Sequence, residues 1–240
     1  MGGAADDGGL AGRAVLVAGG TGNVGAHLTR RLLLAGARVV VPSRSAGKLA
    51  KLQRALADPL GERLIGLEGD VADPSGSVRV REEAERLAGG PMHAVVATLG
   101  GFVDAPSILA APLEDLERAV QGYLYAHFVV ARTFLPSLAR TGGAYISING
   151  PLASAPMFPG TGLVSIATAA QAMLARVLMQ EMAETKARVN EVVIYSAFGW
   201  GDAEKKNIVT GGRHRTLRRA PRQRCRERGA GTNGAPENSQ

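Results

Sequence analysis

Val15-Leu16-Val17-Ala18-Gly19-Gly20-Thr21-Gly22-Asn23-Val24-Gly25 is the stretch from which the fold of this 240-residue chain can be read. An apolar run ends in clustered glycines, which open directly into Leu28, Leu32 and Ala35 at helical spacing. Gly36 then stops the pattern and Arg38-Val39-Val40-Val41 starts a second apolar run. Glycine allows the tight turn from strand to helix and lets backbone N–H groups come close to a pyrophosphate. The helix that follows offers its unsatisfied N–H groups and the positive end of its dipole to the same anion. Gly20, Gly22 and Gly25 spell G-x-G-x-x-G, a weak signal alone that gains weight from the strand before it and the helix after it. The stretch predicts a dinucleotide-binding loop made by Gly19, Gly20, Thr21, Gly22, Asn23, Val24 and Gly25, against the plainer alternative of a glycine-rich turn that holds no ligand.

Outward from this loop, strand-like segments at 14–18, 38–42, 63–67, 93–98, 143–149 and 188–194 alternate with helix-like segments, without an internal repeat. The helical patterns run over 23–35, 45–57, 76–88, 112–139 and 163–184, starting near capping or turn residues such as Ser45 and Ser75. The 112–139 segment is long enough to contain a break. Strands separated by crossover-length helices form a parallel sheet covered on both faces, with the ligand at the carboxyl ends of the strands. The expected fold class is therefore α/β: a Rossmann-type doubly wound parallel sheet in a single domain over residues 12–202. A length of 240 residues and 45% hydrophobic content suit one such domain with a substantial core.

The formal net charge of +7 sits almost wholly at the C-terminal end. From Gly211 to Gln240 eight arginines face two glutamates, which leaves 20 basic and 19 acidic residues in the remainder. The folded part is near neutral, so nucleic acid is not the expected partner. Residues 203–240 carry few apolar side chains to offset the entropy of ordering and read as a basic disordered tail, with a polyanion-binding arm as the alternative. The change of composition near Gly211 fits a genuine tail and a shifted reading frame alike. Residues 1–11 are acidic and glycine-rich, lack the basic start and apolar centre of a signal peptide, and read as a disordered lead. No segment reads as membrane-spanning and no metal site is expected. A single cysteine, Cys225, leaves no intrachain disulfide, so the cytoplasm is the expected location.

Over roughly residues 10–200 the chain resembles the short-chain dehydrogenases/reductases. Val17 to Gly25 looks like the glycine motif of that family's extended and atypical branches, with Ala18 where threonine is usual. Asp70-Val71 after the third strand resembles the family's adenine-contacting pair, and Ala97-Thr98-Leu99-Gly100 stands where the family has Asn-Asn-Ala-Gly. Arg188-Val189-Asn190 resembles its sixth strand, and Leu174, Arg176, Leu178 and Glu181 repeat its long-helix pattern. The resemblance implies an oxidoreductase that holds a nicotinamide cofactor with the glycine loop, Ser43, Arg44, Asp70, Val71 and Gly100. It also implies a covering segment, a helix and a seventh strand after the sixth. Here the chain turns soon after Phe198-Gly199-Trp200-Gly201-Asp202 into its arginine-rich tail, so the final edge strand is expected to be missing. The sixth strand would then be an exposed edge, open to aggregation or to pairing in a homo-oligomer.

Cofactor choice follows from the end of the second strand, where an NAD-preferring site places an acid for the ribose 2′-OH. This chain reads Pro42-Ser43-Arg44-Ser45. Arg44 can pair with a 2′-phosphate through charge-assisted bonds, and Ser43 or Ser45 can donate to it. NADP(H) is preferred, with NAD(H) the weaker option and a solvent-facing Arg44 the plain alternative.

The catalytic residues are where the chain departs from the family, which uses a Tyr-x-x-x-Lys pair with an assisting serine and asparagine. Aligning Arg176 and Glu181 puts Val164 at the tyrosine position and Thr168 at the lysine position. The run Tyr145-Ile146-Ser147-Ile148-Asn149-Gly150 puts Gly150 at the serine, and Phe128 with Pro136 puts Tyr123 at the asparagine. The residues four after Tyr123, Tyr125, Tyr145 and Tyr195 are His127, Val129, Asn149 and Gly199, so no Tyr-x-x-x-Lys exists in any register. Two substitutes suggest themselves. Tyr123 could donate a proton, tuned by His127 one turn later, although a packed aromatic beside a half-exposed histidine is the commoner arrangement. Ser147, Asn149, Ser165 and Thr168 could bind a substrate carbonyl or simply serve strand ends and caps. Three functions stay open: an NADP(H)-dependent oxidoreductase with an altered site, a non-catalytic NADP(H)-binding sensor or interaction protein, and a polyanion binder. The small-molecule substrate is not legible.

Overall fold

The computed structural model describes residues 9–57 and 60–195. Its centre is built from valine-rich runs: β1 (Ala14–Ala18) is buried along its whole length, and β2 (Arg38–Ser43) from Val39 to Pro42. Continuous burial of β-branched side chains is what a parallel sheet covered on both faces demands. β3 (Leu64–Glu68), β4 (Ala94–Ala97), β5 (Ala144–Asn149) and β6 (Arg188–Val193) complete a six-stranded parallel sheet in the order β3-β2-β1-β4-β5-β6. The order reverses between β1 and β4, which opens a crevice at their carboxyl ends. Ala18 lies opposite Ala97 in register, so the glycine loop and the loop after β4 leave the sheet side by side.

Among the described residues the sheet is flanked by α1 (Asn23–Leu34), α2 (Ala46–Ala55), α3 (Pro74–Ala88), α5 (Ala126–Thr141) and α6 (Gly162–Glu181), while α4 (Leu113–Val120) packs on α6. Alternation along a strand sends Leu16 to one face and Val15 and Val17 to the other. The first face packs Leu16, Val40 and Val95 against Val80 and Ala84 of α3 and Val130, Phe134 and Leu138 of α5. The second packs Val15, Val17, Val39 and Val41 against Leu33 of α1 and Leu49 and Leu52 of α2. By length and composition alone α6 could cross a membrane, with a mean hydropathy of 1.5. In this fold Leu163, Val164, Ala167, Gln171, Ala172 and Ala175 of α6 are buried, which is the pattern of a core helix.

One local expectation is corrected. Asp73, not Ser75, caps α3: its carboxylate accepts from the Gly76 N–H and from the Ser75 hydroxyl, and Pro74 takes the first helical position, where no N–H is needed. The 112–139 segment, long enough to contain a break, is interrupted at Gln121–Tyr125 by a π-helical turn that joins α4 to α5, a feature common at functional sites. Ser45 caps α2 as expected, accepting from the Lys48 N–H at 3.3 Å. Among the described residues β6 is an edge strand. The expected tail, and all but the end of the expected lead, lie outside the described residues.

Candidate functional site

The glycine loop is shaped by backbone crowding. Gly19 has φ +82°, and a Cβ there would stand 2.1 Å from the Thr98 carbonyl oxygen. A Cβ on Gly25 would stand 2.1 Å from the Gly19 oxygen, and one on Gly20 2.8 Å from a Val41 methyl. These three glycines let the first turn of α1, the loop and the end of β4 pack in direct contact. Gly22 is different. Its φ is −79°, and a Cβ there would meet only the Gly19 oxygen, at 3.3 Å. It caps α1 without a side-chain hydrogen bond, so the amides of the first turn have no capping acceptor. Packing constrains position 22 less than 19, 20 and 25, and the first-turn amides of α1 are left with unsatisfied N–H groups of the kind that receive an anion.

At the end of β2 the Ser43 hydroxyl accepts from the Ser45 N–H at 3.2 Å, so both serines are engaged in the turn that starts α2. Arg44 is 77% exposed and reaches Asp70, with Nη1 3.7 Å from Oδ2. The other Asp70 oxygen accepts from the Ala72 N–H at 2.8 Å. An acid therefore stands beside Arg44 after all, delivered by the β3 end rather than by β2. Val71 is buried in the core with Val40 and Val80, while Asp70 lies at the surface of the crevice. A cavity of about 140 Å³ lies next to the loop, lined by Thr21, Asn23, Lys48, Lys51 and Leu52. A larger one, about 220 Å³, sits at the opposite strand ends among Gly12, Ala14, Gly36 and Arg38.

The loop after β4 carries the third part of the site. Gly100 has φ +129°, and a Cβ there would fall 2.3 Å from a Tyr123 ring carbon, so the ring lies directly against the Gly100 backbone. Burial pushes the Tyr123 hydroxyl pKa up, partly opposed by the Gly101 amide that donates toward it. The ring of His127 bonds to Leu99 and Ser147 and not to Tyr123, and it is buried where the plainer reading had it half-exposed. It is 1% exposed, with Nε2 3.4 Å from both the N–H and the carbonyl oxygen of Leu99 and Nδ1 3.4 Å from the Ser147 hydroxyl. Burial lowers its pKa to about 4. Gln171 extends the chain, donating to the Ser147 hydroxyl at 3.0 Å and to the Ile148 carbonyl at 2.8 Å. The sequence reading missed Gln171; its signal was one long polar side chain amid Ala169, Ala170 and Ala172 on an apolar helix.

The substitute carbonyl binders are largely occupied. Ser147 is held by Gln171 and His127. Asn149 donates to the Thr168 carbonyl and to Glu191, both at 3.1 Å, and accepts from the Gly150 N–H. Thr168 donates back to the Val164 carbonyl at 2.7 Å. The buried Ser165 hydroxyl has no hydrogen-bond partner. Val164 is 2% exposed in an apolar cluster with Val103, Ala105, Leu163 and Ala167, against which Tyr123 and Leu152 pack. An isolated antiparallel bridge, Ala105 N–H to Gly160 carbonyl at 3.1 Å, ties the loop after β4 to the approach to α6.

The sequence profile described as short chain dehydrogenase matches residues 13–196. This chain belongs to the short-chain dehydrogenase family. It is 29% identical over 190 residues to a short-chain type dehydrogenase/reductase of Picea abies, covering 75% of this chain and 69% of that one. It is also 29% identical over 184 residues to the dehydrogenase/reductase SDR family member 4 of Bos taurus, covering 74% and 63%. The chain thus spans about two thirds of these relatives' length. Among solved structures it is similar to an NADPH-bound short chain oxidoreductase of Pseudomonas aeruginosa PAO1 described as containing an atypical catalytic center. That match has 27% identity, a TM-score of 0.70, and covers 75% of this chain and 70% of that one. The L-sorbose reductase of Gluconobacter frateurii, complexed with NADPH and L-sorbose, matches in fold at 24% identity and a TM-score of 0.70, covering 78% and 70%.

The short-chain dehydrogenases are oxidoreductases that bind nicotinamide cofactors. Of the residues expected at the family's catalytic positions, Val164 (tyrosine) lies inside an apolar cluster and Thr168 (lysine) is bonded to its own helix. A Cβ on Gly150 (expected at the serine) would meet no atom within 4 Å. Tyr123 (expected at the asparagine) lies within the π-helical turn.

Proposed function

We propose that this chain is an NADP(H)-binding protein of the short-chain dehydrogenase family that keeps the cofactor cradle and has replaced the tyrosine–lysine proton chemistry with apolar packing. The observation that carries this reading is Val164, 2% exposed among Val103, Ala105, Leu163 and Ala167. Neither it nor the back-bonded Thr168 can exchange a proton with a substrate oxygen. The preference for NADP(H) over NAD(H) is supported by Arg44 at the end of β2 and by the NADPH in two structural neighbours. The Arg44–Asp70 contact is exposed, and such pairs contribute only about 0–1 kcal/mol, so a phosphate dianion can displace it. The single cysteine supports a cytoplasmic location, the near-neutral folded part argues against a nucleic-acid partner, and the β6 edge suits a homo-oligomer.

Titrating the purified full chain with NADPH and NADH, then assaying a panel of carbonyls and alcohols, tests the reading. Tighter NADPH binding with little or no turnover is expected. Binding of neither cofactor would refute the cradle, and brisk NADPH-dependent carbonyl reduction would refute the loss of chemistry. The second reading is an oxidoreductase with Tyr123 as proton donor. The position of its ring on Gly100 and the atypical center of the Pseudomonas relative favour it. A missing general acid typically slows such reactions by roughly 10² to 10⁴-fold, so weak turnover is compatible with either arrangement.

A further inference from the structure

One long amide is buried where an apolar side chain would leave no polar group unpaired. Gln171 of α6 donates to the Ser147 hydroxyl at 3.0 Å and to the Ile148 carbonyl at 2.8 Å, while its own carbonyl oxygen has no hydrogen-bond partner. An unpaired buried acceptor lowers stability, so packing alone does not account for a glutamine there. Turning the amide over would set its oxygen against the Ile148 carbonyl, so an N–H is fixed on Ser147. The Ser147 oxygen faces His127 Nδ1 at 3.4 Å, and His127 Nε2 faces both the N–H and the carbonyl oxygen of Leu99. All three side chains are buried, so these partners set where the hydrogens lie. With the ring proton on Nε2, the serine hydrogen meets Nδ1 and Nε2–H meets the Leu99 carbonyl; only the Leu99 N–H goes without an acceptor. With the proton on Nδ1, the serine oxygen accepts from both neighbours, and the serine hydrogen and the Leu99 carbonyl both lack a partner among the described residues. The first arrangement leaves fewer groups unpaired, and its donors all point one way, from Gln171 to Leu99.

Leu99 lies between Thr98, whose carbonyl oxygen crowds Gly19 of the glycine loop, and Gly100, which backs the Tyr123 ring. We propose that Gln171 is a positioning residue of the cofactor crevice. It turns the Ser147 hydroxyl onto His127, which fixes the ring proton on Nε2, clamps the Leu99 carbonyl and so holds the wall shared by the glycine loop and Tyr123. The proposal rests on the dinucleotide-binding reading above and deepens it. That wall is common to NADPH and NADH, so Gln171 sets affinity for both and leaves the choice between them to Arg44.

The test compares the unmodified full chain with Gln171→Leu, Ser147→Ala and the double variant, by titration with NADPH and NADH and by ring-nitrogen NMR near neutral pH. Among the four histidines, the His127 signals are those lost in His127→Gln. The unmodified ring should carry its proton on Nε2. In Gln171→Leu the proton should move wholly or partly to Nδ1, a change that lost packing alone would not produce. Both single variants should bind NADPH and NADH about three- to tenfold more weakly, by the same factor for each, as expected for one buried hydrogen bond. The double variant should bind as Ser147→Ala does, because Gln171 acts through that serine. A proton on Nδ1 in the unmodified chain, an unmoved proton in Gln171→Leu, unchanged affinity, loss for one dinucleotide only, or losses that add in the double variant would each overturn the proposal and leave the dinucleotide reading intact. Should Gln171→Leu not fold, the proton position in the unmodified chain and the affinities of Ser147→Ala decide the matter. Binding of neither dinucleotide by the unmodified chain would overturn both the reading and the proposal.

Discussion

His127 makes the folded domain acid-sensitive in a window that can be calculated. The ring is 1% exposed and its two nitrogens face Leu99 and Ser147, so no carboxylate is placed to stabilise an imidazolium. Burial lowers the folded-state pKa to about 4 from an ordinary 6.5. Between those values the unfolded chain binds a proton that the folded chain refuses. Stability from this residue is complete above about pH 6.5 and is lost as the pH falls toward 4. The loss is about 2 kcal/mol at pH 5 and approaches ~3 kcal/mol near pH 4. For a domain of this size 2 kcal/mol corresponds to roughly 4–8 °C in melting temperature. His127→Gln, which keeps a donor and an acceptor but no titration, should melt lower than the parent at about pH 7.5. Its further drop on moving to about pH 5 should be smaller than the parent's by that same ~4–8 °C. Asp73 and Glu83, held low by hydrogen bonds from Ser75 and Arg86, lose their contribution only at more acid pH and are shared by both proteins. Parallel melting profiles for parent and variant across this window would refute the buried neutral histidine.

Three further outcomes separate the parts of the site. Gly25→Ala places a methyl 2.1 Å from the Gly19 oxygen and should lower both the melting temperature and NADPH affinity, whereas Gly22→Ala should fold normally and lose only affinity; undiminished NADPH binding by folded Gly22→Ala would remove the loop from the site. Arg44→Ala should weaken NADPH selectively, by about 1–3 kcal/mol for a charge-assisted contact, and equal loss for NADH would show that Arg44 does not read the 2′-phosphate. Val164→Tyr should destabilise by about 1–3 kcal/mol through overpacking, while Gly150→Ser enters open space at little cost. The triple variant with Thr168→Lys should still turn over slowly, because its tyrosine must first find room; a Val164→Tyr protein as stable as the parent in thermal melts would contradict the apolar filling.

The sequence alone determined the parallel α/β sheet, its six strands within a few residues, and the glycine loop. Those features are local: alternation, helical spacing and a glycine cluster are written in neighbouring residues, and Val15–Val17 or Leu28 and Leu32 announce them directly. The loss of Tyr-x-x-x-Lys was legible for the same reason, since a spacing of four residues is a local fact. Tertiary structure decided the rest. It brought Asp70 to Arg44 from a different strand end, laid Tyr123 on Gly100, and drew His127 to Leu99, Ser147 and, through the serine, Gln171. It also sorted the glycines into Gly19 and Gly25, required by backbone contact, Gly20, crowded by a Val41 methyl, and Gly22, the least crowded, whose Cβ would meet only the Gly19 oxygen at 3.3 Å. A contact between residues tens of positions apart leaves no mark in spacing or composition, because sheet order and helix packing, not chain proximity, set which side chains meet.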